Sequence, residues 1–432
     1  MRQLLILFLS LLFLPLTLQA QRKEISAAQD LVKSGKNLET AQANMEKLLK
    51  DSANRTNLKI WETLYEAVRK QYEQGNEKLY LKQQYDTAKL FRSVNTLFSV
   101  AIAMDSVDAR PDRRGRVRPQ FRDHHADYLN AIRGNLFFGG AYFIRKQQYP
   151  EAYSFFNRYI DCVQQPLFRR FDYAHHDRRV PQAAYWAVFC GYKMKDTKAS
   201  LHHTYWALQD TAHQAYMLQY LAETYRLDND SARYMQTLQE GFHRYPLFPF
   251  FFPRLVEGYV RADSLPQAMA VTEEALKIAP AKREFLFTKS TLLLNMGKYR
   301  DCITICDSVI EKDAARLTES KDSVEQKSKV DEKSIVADKD SVVFAGFYLN
   351  AGLAYYNMAV NLDKNYQSQR RNRTKILQYY ERALPYLERY RRLRPADRKQ
   401  WAFPLYTIYL NLNKGKEFDE INKVISATDG QK

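Results

Sequence analysis

Glycine and proline are both scarce, at 14 each among 432 residues, and ordinary glycine usage is about 7%. So few glycines leave few places for positive-φ turns or for loops that cradle phosphate. Sandwiches, barrels and propellers, which turn about every dozen residues, are not expected on that ground. Long apolar runs are also missing: after the first twenty residues no stretch of about 18 or more occurs, so no membrane span is expected there. Catalytic signatures are absent. There is no G-x-S-x-G, no G-x-x-x-x-G-K-[ST], no H-E-x-x-H and no glycine-rich dinucleotide loop. No enzyme and no cofactor is therefore expected. The chain has four cysteines. Cys162 and Cys190 fall on consecutive predicted helices and could bridge in an oxidising compartment. Cys302 and Cys306 are spaced i, i+4 on one helix, which suits packing better than a disulfide. Neither pair has further ligands nearby, so no metal is expected.

What is present is apolar surface and charge. Hydrophobic residues make up 45% and charged residues 27% of the chain, with 30 tyrosines and 24 phenylalanines. Such a chain can bury a sizeable core, and tyrosine packs between helices while keeping its hydroxyl wet. Residues 1–20 have the layout of a secretory signal peptide: Arg2, an apolar stretch from Leu4 to Leu18, then Leu18-Gln19-Ala20. No cysteine follows that would carry a lipid anchor. The expectation is an exported chain beginning at Gln21, periplasmic or envelope-associated.

An internal echo organises the rest. Leu255, Tyr259, Ala268, Ala275 and Pro280 are preceded, 34 residues upstream, by Leu221, Tyr225, Tyr234, Gly241 and Pro246. The same step downstream reaches Lys289, Leu293, Cys302, Val309 and Ala314. Windows 215–248, 249–282 and 283–316 thus share one frame. Window 133–166 joins it through Gly140, Phe143, Tyr149, Ala152 and Phe156, and a looser unit fills 182–214. Within each window apolar residues recur at i, i+3, i+4 and i+7, which predicts two amphipathic helices. Ala152, Ala268 and Ala383 stand where a second helix must approach the first closely. Pro246, Pro280 and Pro395 each follow a second helix.

These residues resemble the tetratricopeptide repeat (TPR). That family pattern has a bulky residue, Leu, a small residue and Tyr on the first helix, small residues about an aromatic on the second, and a closing Pro. Window 249–282 matches with Phe252, Leu255, Tyr259, Ala268, Ala275 and Pro280, and departs at Val256 and Thr272. The resemblance covers about two-thirds of the chain after residue 20. It implies an all-α solenoid of about seven degenerate helix pairs in a right-handed superhelix.

The expected segments are 1–20 signal peptide, 21–104 N-terminal degenerate repeats, 105–123 basic linker, 124–316 central array, 317–341 charged insertion and 342–432 C-terminal helices. Residues 361–375, rich in Asn, Gln and Arg, are expected to interrupt or lengthen a turn. The insertion, mixed in charge and almost without aromatics, is either a solvated helix or flexible.

Two surfaces compete for function. The resemblance implies a concave face, lined by first helices, that binds peptides. On this chain it would carry Tyr216, Gln219, Glu223, Arg226, Phe250, Glu257, Arg261, Phe287 and Asn295. The Lys/Asn clamp of chaperone-binding members is missing. The formal net charge of +17 concentrates in arginine clusters, among them Arg113, Arg114, Arg116, Arg118, Arg370, Arg371 and Arg373. A further cluster spans 169–179. Arginine's planar fork suits phosphate and carboxylate. Export argues against nucleic acid, leaving an acidic protein partner or an anionic glycan, lipid or polymer of the envelope. The pairs His124-His125, His175-His176 and His202-His203 are adjacent in sequence. Neighbouring helical histidines diverge by about 100°, so a metal site is not expected.

Overall fold

The computed structural model describes residues 21–323, 339–364 and 366–429. The expected signal peptide and residues 324–338 of the charged insertion lie outside the described residues. The structure is 80% helical, and no strand occurs among the described residues.

The chain folds as two compact units, Met1–Thr237 and Leu238–Lys432, with the division inside the stretch 124–316. The first unit carries α1 (residues 21–34), α2 (Leu38–Leu49), α3 (Leu58–Tyr80), α4 (Thr87–Asp108), α5 (Arg122–Ile132), α6 (Gly134–Arg145) and α7 (Tyr149–Asp161). After a short 3-10 helix at Pro166–Phe171 come α8 (Tyr173–His176), α9 (Val180–Met194), α10 (Thr197–His202), α11 (Thr204–Ala207) and α12 (Gln214–Leu227). Helix α13 (Ser231–Arg244) contains the division. The second unit continues with α14 (Phe251–Arg261), α15 (Leu265–Ile278), α16 (Arg283–Asn295), α17 (Tyr299–Ser323), α18 (Lys339–Asp363), α19 (Tyr366–Leu393), α20 (Arg398–Asn411) and α21 (Gly415–Asp429).

Several helices begin where a short polar side chain takes an orphan amide. Asn57, Asp86 and Asp196 accept from Lys59, Ala88 and Ala199 backbone N–H at 3.1, 2.8 and 3.0 Å. Proline follows the ends of three helices. Pro246, Pro280 and Pro395 each lie two residues past a helix end, at Arg244, Ile278 and Leu393.

The turns inside the pairs show the repeat most directly. Lys195, Asn229, Asp263 and Gly297 all have left-handed φ, at 56, 58, 53 and 72°, and each stands 34 residues after the one before. At all four the next N–H bonds back across the helix end: Asp196 to Gly191, Asp230 to Tyr225, Ser264 to Tyr259 and Lys298 to Leu293, at 2.8–3.0 Å. This is one Schellman-type closure made at each of the four in-phase positions. Three of the four positions are not glycine. Scarce glycine therefore does not mean scarce positive-φ turns, contrary to the expectation from composition, because the recurring backbone bond holds Lys, Asn and Asp in a conformation that costs them on the order of 1–2 kcal/mol.

The paired helices meet on small residues. Ala152, Ala268 and Ala383 are completely buried. At Gly191 a Cβ would run into the backbone of Ser200, on the second helix of its own pair. Each pair then leans on its neighbours: α2 on α3 and α7 on α9 in the first unit; α15 on α16, α16 on α18 and α19 on α20 in the second. A single pair could not cover its own apolar face, so stacking supplies the core. Residues 361–375 differ from expectation. Helix α18 runs to Asp363 and α19 starts at Tyr366, so this stretch mostly lengthens a helix, consistent with its Gln, Arg and Lys, which are good helix formers.

Candidate binding surfaces

In the first unit, α9 and α12 present a row of aromatic side chains. Trp186 and Phe189 meet edge to face at 5.5 Å, and Tyr149 at the head of α7 meets Phe189 at 6.0 Å. Tyr192 stacks on Tyr220 at 4.8 Å. Tyr149, Trp186, Phe189 and Tyr192 are half-buried, while Tyr185 and Tyr220 form the floor beneath them. The sequence-predicted residues of α12 share one helical face at i, i+3 and i+7 spacing. Tyr216 is 47% exposed and Gln219 half-buried. Glu223 is buried and holds Arg226 at 2.8 Å.

In the second unit the predicted residues separate. Phe250 is buried, with Phe251 edge-on at 5.4 Å and the Arg254 guanidinium 3.9 Å above its ring. This corrects the expectation of an open anchor. Phe287 is half-buried and packs on Phe347 of α18 at 5.7 Å, so the next pair covers it. Glu257 and Arg261 are exposed and pair with each other at 2.6 Å, and Asn295 is exposed. Fixed repeat positions say which side of a pair a residue faces, not whether a neighbouring pair lies on it. A cleft of about 230 Å³ opens among Pro246, Pro249, Phe252, Pro253 and Phe285, with Lys282 and Glu284 in its walls.

The arginine clusters differ in how far they are already neutralised. Arg113, Arg114 and Arg118 are exposed and have no acidic partner among the described residues, while Arg116 pairs with Asp112 at 3.0 Å. Arg371 and Arg373 are exposed on α19, where Arg373 donates to Asn411 at 3.2 Å. The side chain of Arg370 lies outside the described residues.

One arginine carries no sequence signal because it stands alone. Arg133 is buried between the rings of Tyr159 and Tyr173, 3.7 and 3.8 Å from their centroids. It donates to the Tyr159 carbonyl at 2.9 Å and to Asp177. The Tyr159 hydroxyl donates to the same carboxylate at 2.7 Å. Burial works against the Asp177 charge, but these donors and the Arg179 N–H prevail and hold its pKa below the usual range. This cluster pins the 163–179 connection onto α7. Leu167, Phe168 and Tyr173 are buried there as well, so the connection that carries the 169–179 arginine cluster is half core.

The histidine pairs are not brought together, and no group of three metal-ligating side chains occurs among the described residues. His125 stacks between Tyr65 and Phe121. His203 hydrogen-bonds with Asn157 at 2.8 Å, and His175 and His176 lean on Asp172. All four cysteines are free and buried. Cys162 donates to the Arg158 carbonyl at 3.1 Å, so the sequence-allowed bridge to Cys190 is not made. Burial pushes both thiols up to about 12.

No described helix is long and apolar enough to cross a membrane. No family model matches the chain, and no curated protein matches it. Among solved structures, one concerned with PilF of Pseudomonas aeruginosa is similar at 13% identity, covering 66% of this chain and 98% of that one with a TM-score of 0.34. The TPR domain of P58(IPK) is similar at 12% identity, covering 92% and 99% with a TM-score of 0.28. A Rap protein complexed with Competence and Sporulation Factor shares 11% identity over 93% and 99%, with a TM-score of 0.26. Its own recurring turn, buried small residues and stacked helix pairs make the chain a TPR-like α-helical repeat protein.

Proposed function

We propose that the chain is a non-catalytic protein-interaction scaffold of the cell envelope. The observation that carries this is the aromatic row on α9 and α12: Trp186, Phe189 and Tyr192 half-buried, with Tyr216 beside them 47% exposed. Half-exposed aromatics bring large contact area at small entropic cost, and they are the side chains that anchor partner segments. On the same α12 face as Tyr216 the Glu223–Arg226 pair offers one fixed charge of each sign, which would set the register of an extended apolar segment. Envelope placement rests on the signal-like layout of residues 1–20. The partner would be an envelope protein, captured on a face already formed by packing, so little ordering is needed on binding. The test is a crosslinking pull-down of the tagged protein from its own cells, read by mass spectrometry at low and high salt. A discrete protein set that survives high salt supports the scaffold. Recovery of lipid or wall material alone overturns it.

A further inference from the structure

We infer that the two arginine-rich connections of the first unit form one docking face for the phosphate groups of an anionic lipid surface. The first connection, residues 109–121, leads directly into α5. The second contains Arg169 and Arg170. The structure joins them: Arg170 donates to the Asp123 carbonyl at 2.9 Å and pairs with the carboxylates of Asp123, at 3.6 Å, and Asp127. Two clusters that are separate in sequence therefore converge on the start of α5.

The first connection is exposed yet held in shape. Asp112 accepts from the N–H groups of Arg114 and Arg116 at 2.8 and 3.0 Å, closing a turn on Gly115. Where the connection returns, Arg122 forks onto Asp105 at 2.7 and 2.8 Å, and the Phe121 N–H donates to Asp108 at 2.9 Å. Both aspartates are buried at the end of α4. Preorganisation of this kind lowers the cost of binding.

The acids of this region are already engaged. Asp105 holds Arg122, Asp112 holds Arg116, Asp123 and Asp127 hold Arg170, Asp177 holds Arg133, and Asp172 holds two histidines. Arg110, Arg113, Arg114, Arg118, Arg169 and Arg178 are exposed and have no acidic partner among the described residues. Guanidinium forks match phosphate oxygens in pairs.

Apolar side chains favour a bilayer over a soluble polyanion. Val117, between Arg116 and Arg118, is 52% exposed, and Phe138, beneath the Arg179 guanidinium at 5.8 Å, is 50% exposed. Arginine interleaved with exposed apolar groups is the composition that settles at a headgroup boundary. The connection also projects, with residues 110–118 exposed throughout, which suits a plane better than a threaded strand.

The test uses the chain from Gln21 onward, so that the apolar stretch Leu4 to Leu18 cannot supply the affinity. Its sedimentation with phosphatidylcholine vesicles is compared with that on vesicles containing about 30% phosphatidylglycerol. Binding is expected on the anionic vesicles and not on the neutral ones. The triple variant Arg113→Glu, Arg114→Glu, Arg169→Glu should lower it on the order of 100-fold, with an unchanged thermal melt. Val117→Asp should lower it further. Absence of anionic-vesicle binding, equal binding to both vesicles, or full retention by the triple variant overturns the inference. So does binding to inorganic polyphosphate without binding to vesicles. Protein capture by the aromatic row is separate, and the triple variant should leave it intact.

Discussion

Tyr65 of α3 and His125 of α5 stack face to face, their ring centroids 3.9 Å apart and their planes 27° off parallel. Phe121 lies on the other side of the imidazole at 5.6 Å. Burial lowers the His125 pKa to about 4, and the nearby His124 and Arg69 act the same way against the opposing pull of Glu66 and Asp108. Burial, then His202, likewise lowers His203 to about 4. Both histidines are thus neutral when folded but protonate near pH 6.5 when unfolded. The unfolded chain binds more protons between those values, so stability falls as pH drops from about 6.5 towards 4. Each histidine accounts for roughly 2–3 kcal/mol of that loss at most. Urea midpoints measured across this range should fall steeply. The variant His125→Gln should flatten the slope, and an unchanged slope would sink the assignment.

The Arg133 cluster sets up a second expectation. Removing one member of a buried pair strands the other, at a cost of about 3–5 kcal/mol. Arg133→Met should therefore destabilise the first unit by that order, and Arg133→Lys by somewhat less, because lysine keeps the charge opposite Asp177 although its ammonium cannot lie flat between two rings. Adding Asp177→Asn to Arg133→Met should recover part of the loss, since the stranded charge is then gone. A double-mutant cycle on denaturant midpoints reads this directly. Simple additivity would show that the two residues are not coupled.

Two glycines separate conformational from steric cost. A Cβ at Gly297 would meet nothing within 4 Å, but its φ is 72°. Gly297→Ala should therefore cost on the order of 1 kcal/mol through the backbone alone. Gly191 is an ordinary helical residue whose Cβ would run into the Ser200 backbone. Gly191→Ala should cost more, about 1–3 kcal/mol, because α9 and α10 must move apart. Conversely, Asp263→Gly should raise stability slightly by relieving a left-handed φ of 53°. Thermal melts of the three variants, ordered the other way, would contradict the assigned turn.

Much of this architecture is legible in the residues. The step from Tyr225 to Tyr259 to Leu293 marks the last turn of three successive first helices, and each accepts the closing turn bond. Ala152, Ala268 and Ala383 mark the close approaches because only a small side chain permits them. Three things were not legible. Lys195, Asn229 and Asp263 carry no glycine signal at a glycine-like position, since backbone bonding rather than residue type stabilises the turn. Arg133 could not be told from a surface arginine, because its partners Tyr159, Tyr173 and Asp177 come from other elements. Phe287 faces outward within its pair, and its coverage by Phe347 of α18 is a long-range fact with no local pattern, whereas Phe250 is packed by Phe251 and Arg254 at the start of its own helix.

Exposure separates the candidate anchors. Tyr216 is exposed on α12 beside the aromatic row, whereas Phe250 is buried and contributes packing. Tyr216→Ala should leave the melt nearly unchanged and reduce partner recovery about tenfold or more, as loss of an aromatic anchor does. Phe250→Ala should behave oppositely, lowering stability by about 3–5 kcal/mol while the folded fraction still captures partners. Glu257→Ala and Arg261→Ala should do little to either, because an exposed i, i+4 pair contributes only a few tenths of a kcal/mol. Quantitative pull-downs at matched folded concentration distinguish these patterns. If Phe250→Ala abolished capture with no effect on the melt, the binding surface would lie around α14 rather than on α9 and α12, and the aromatic row would be no more than the outer layer of the core.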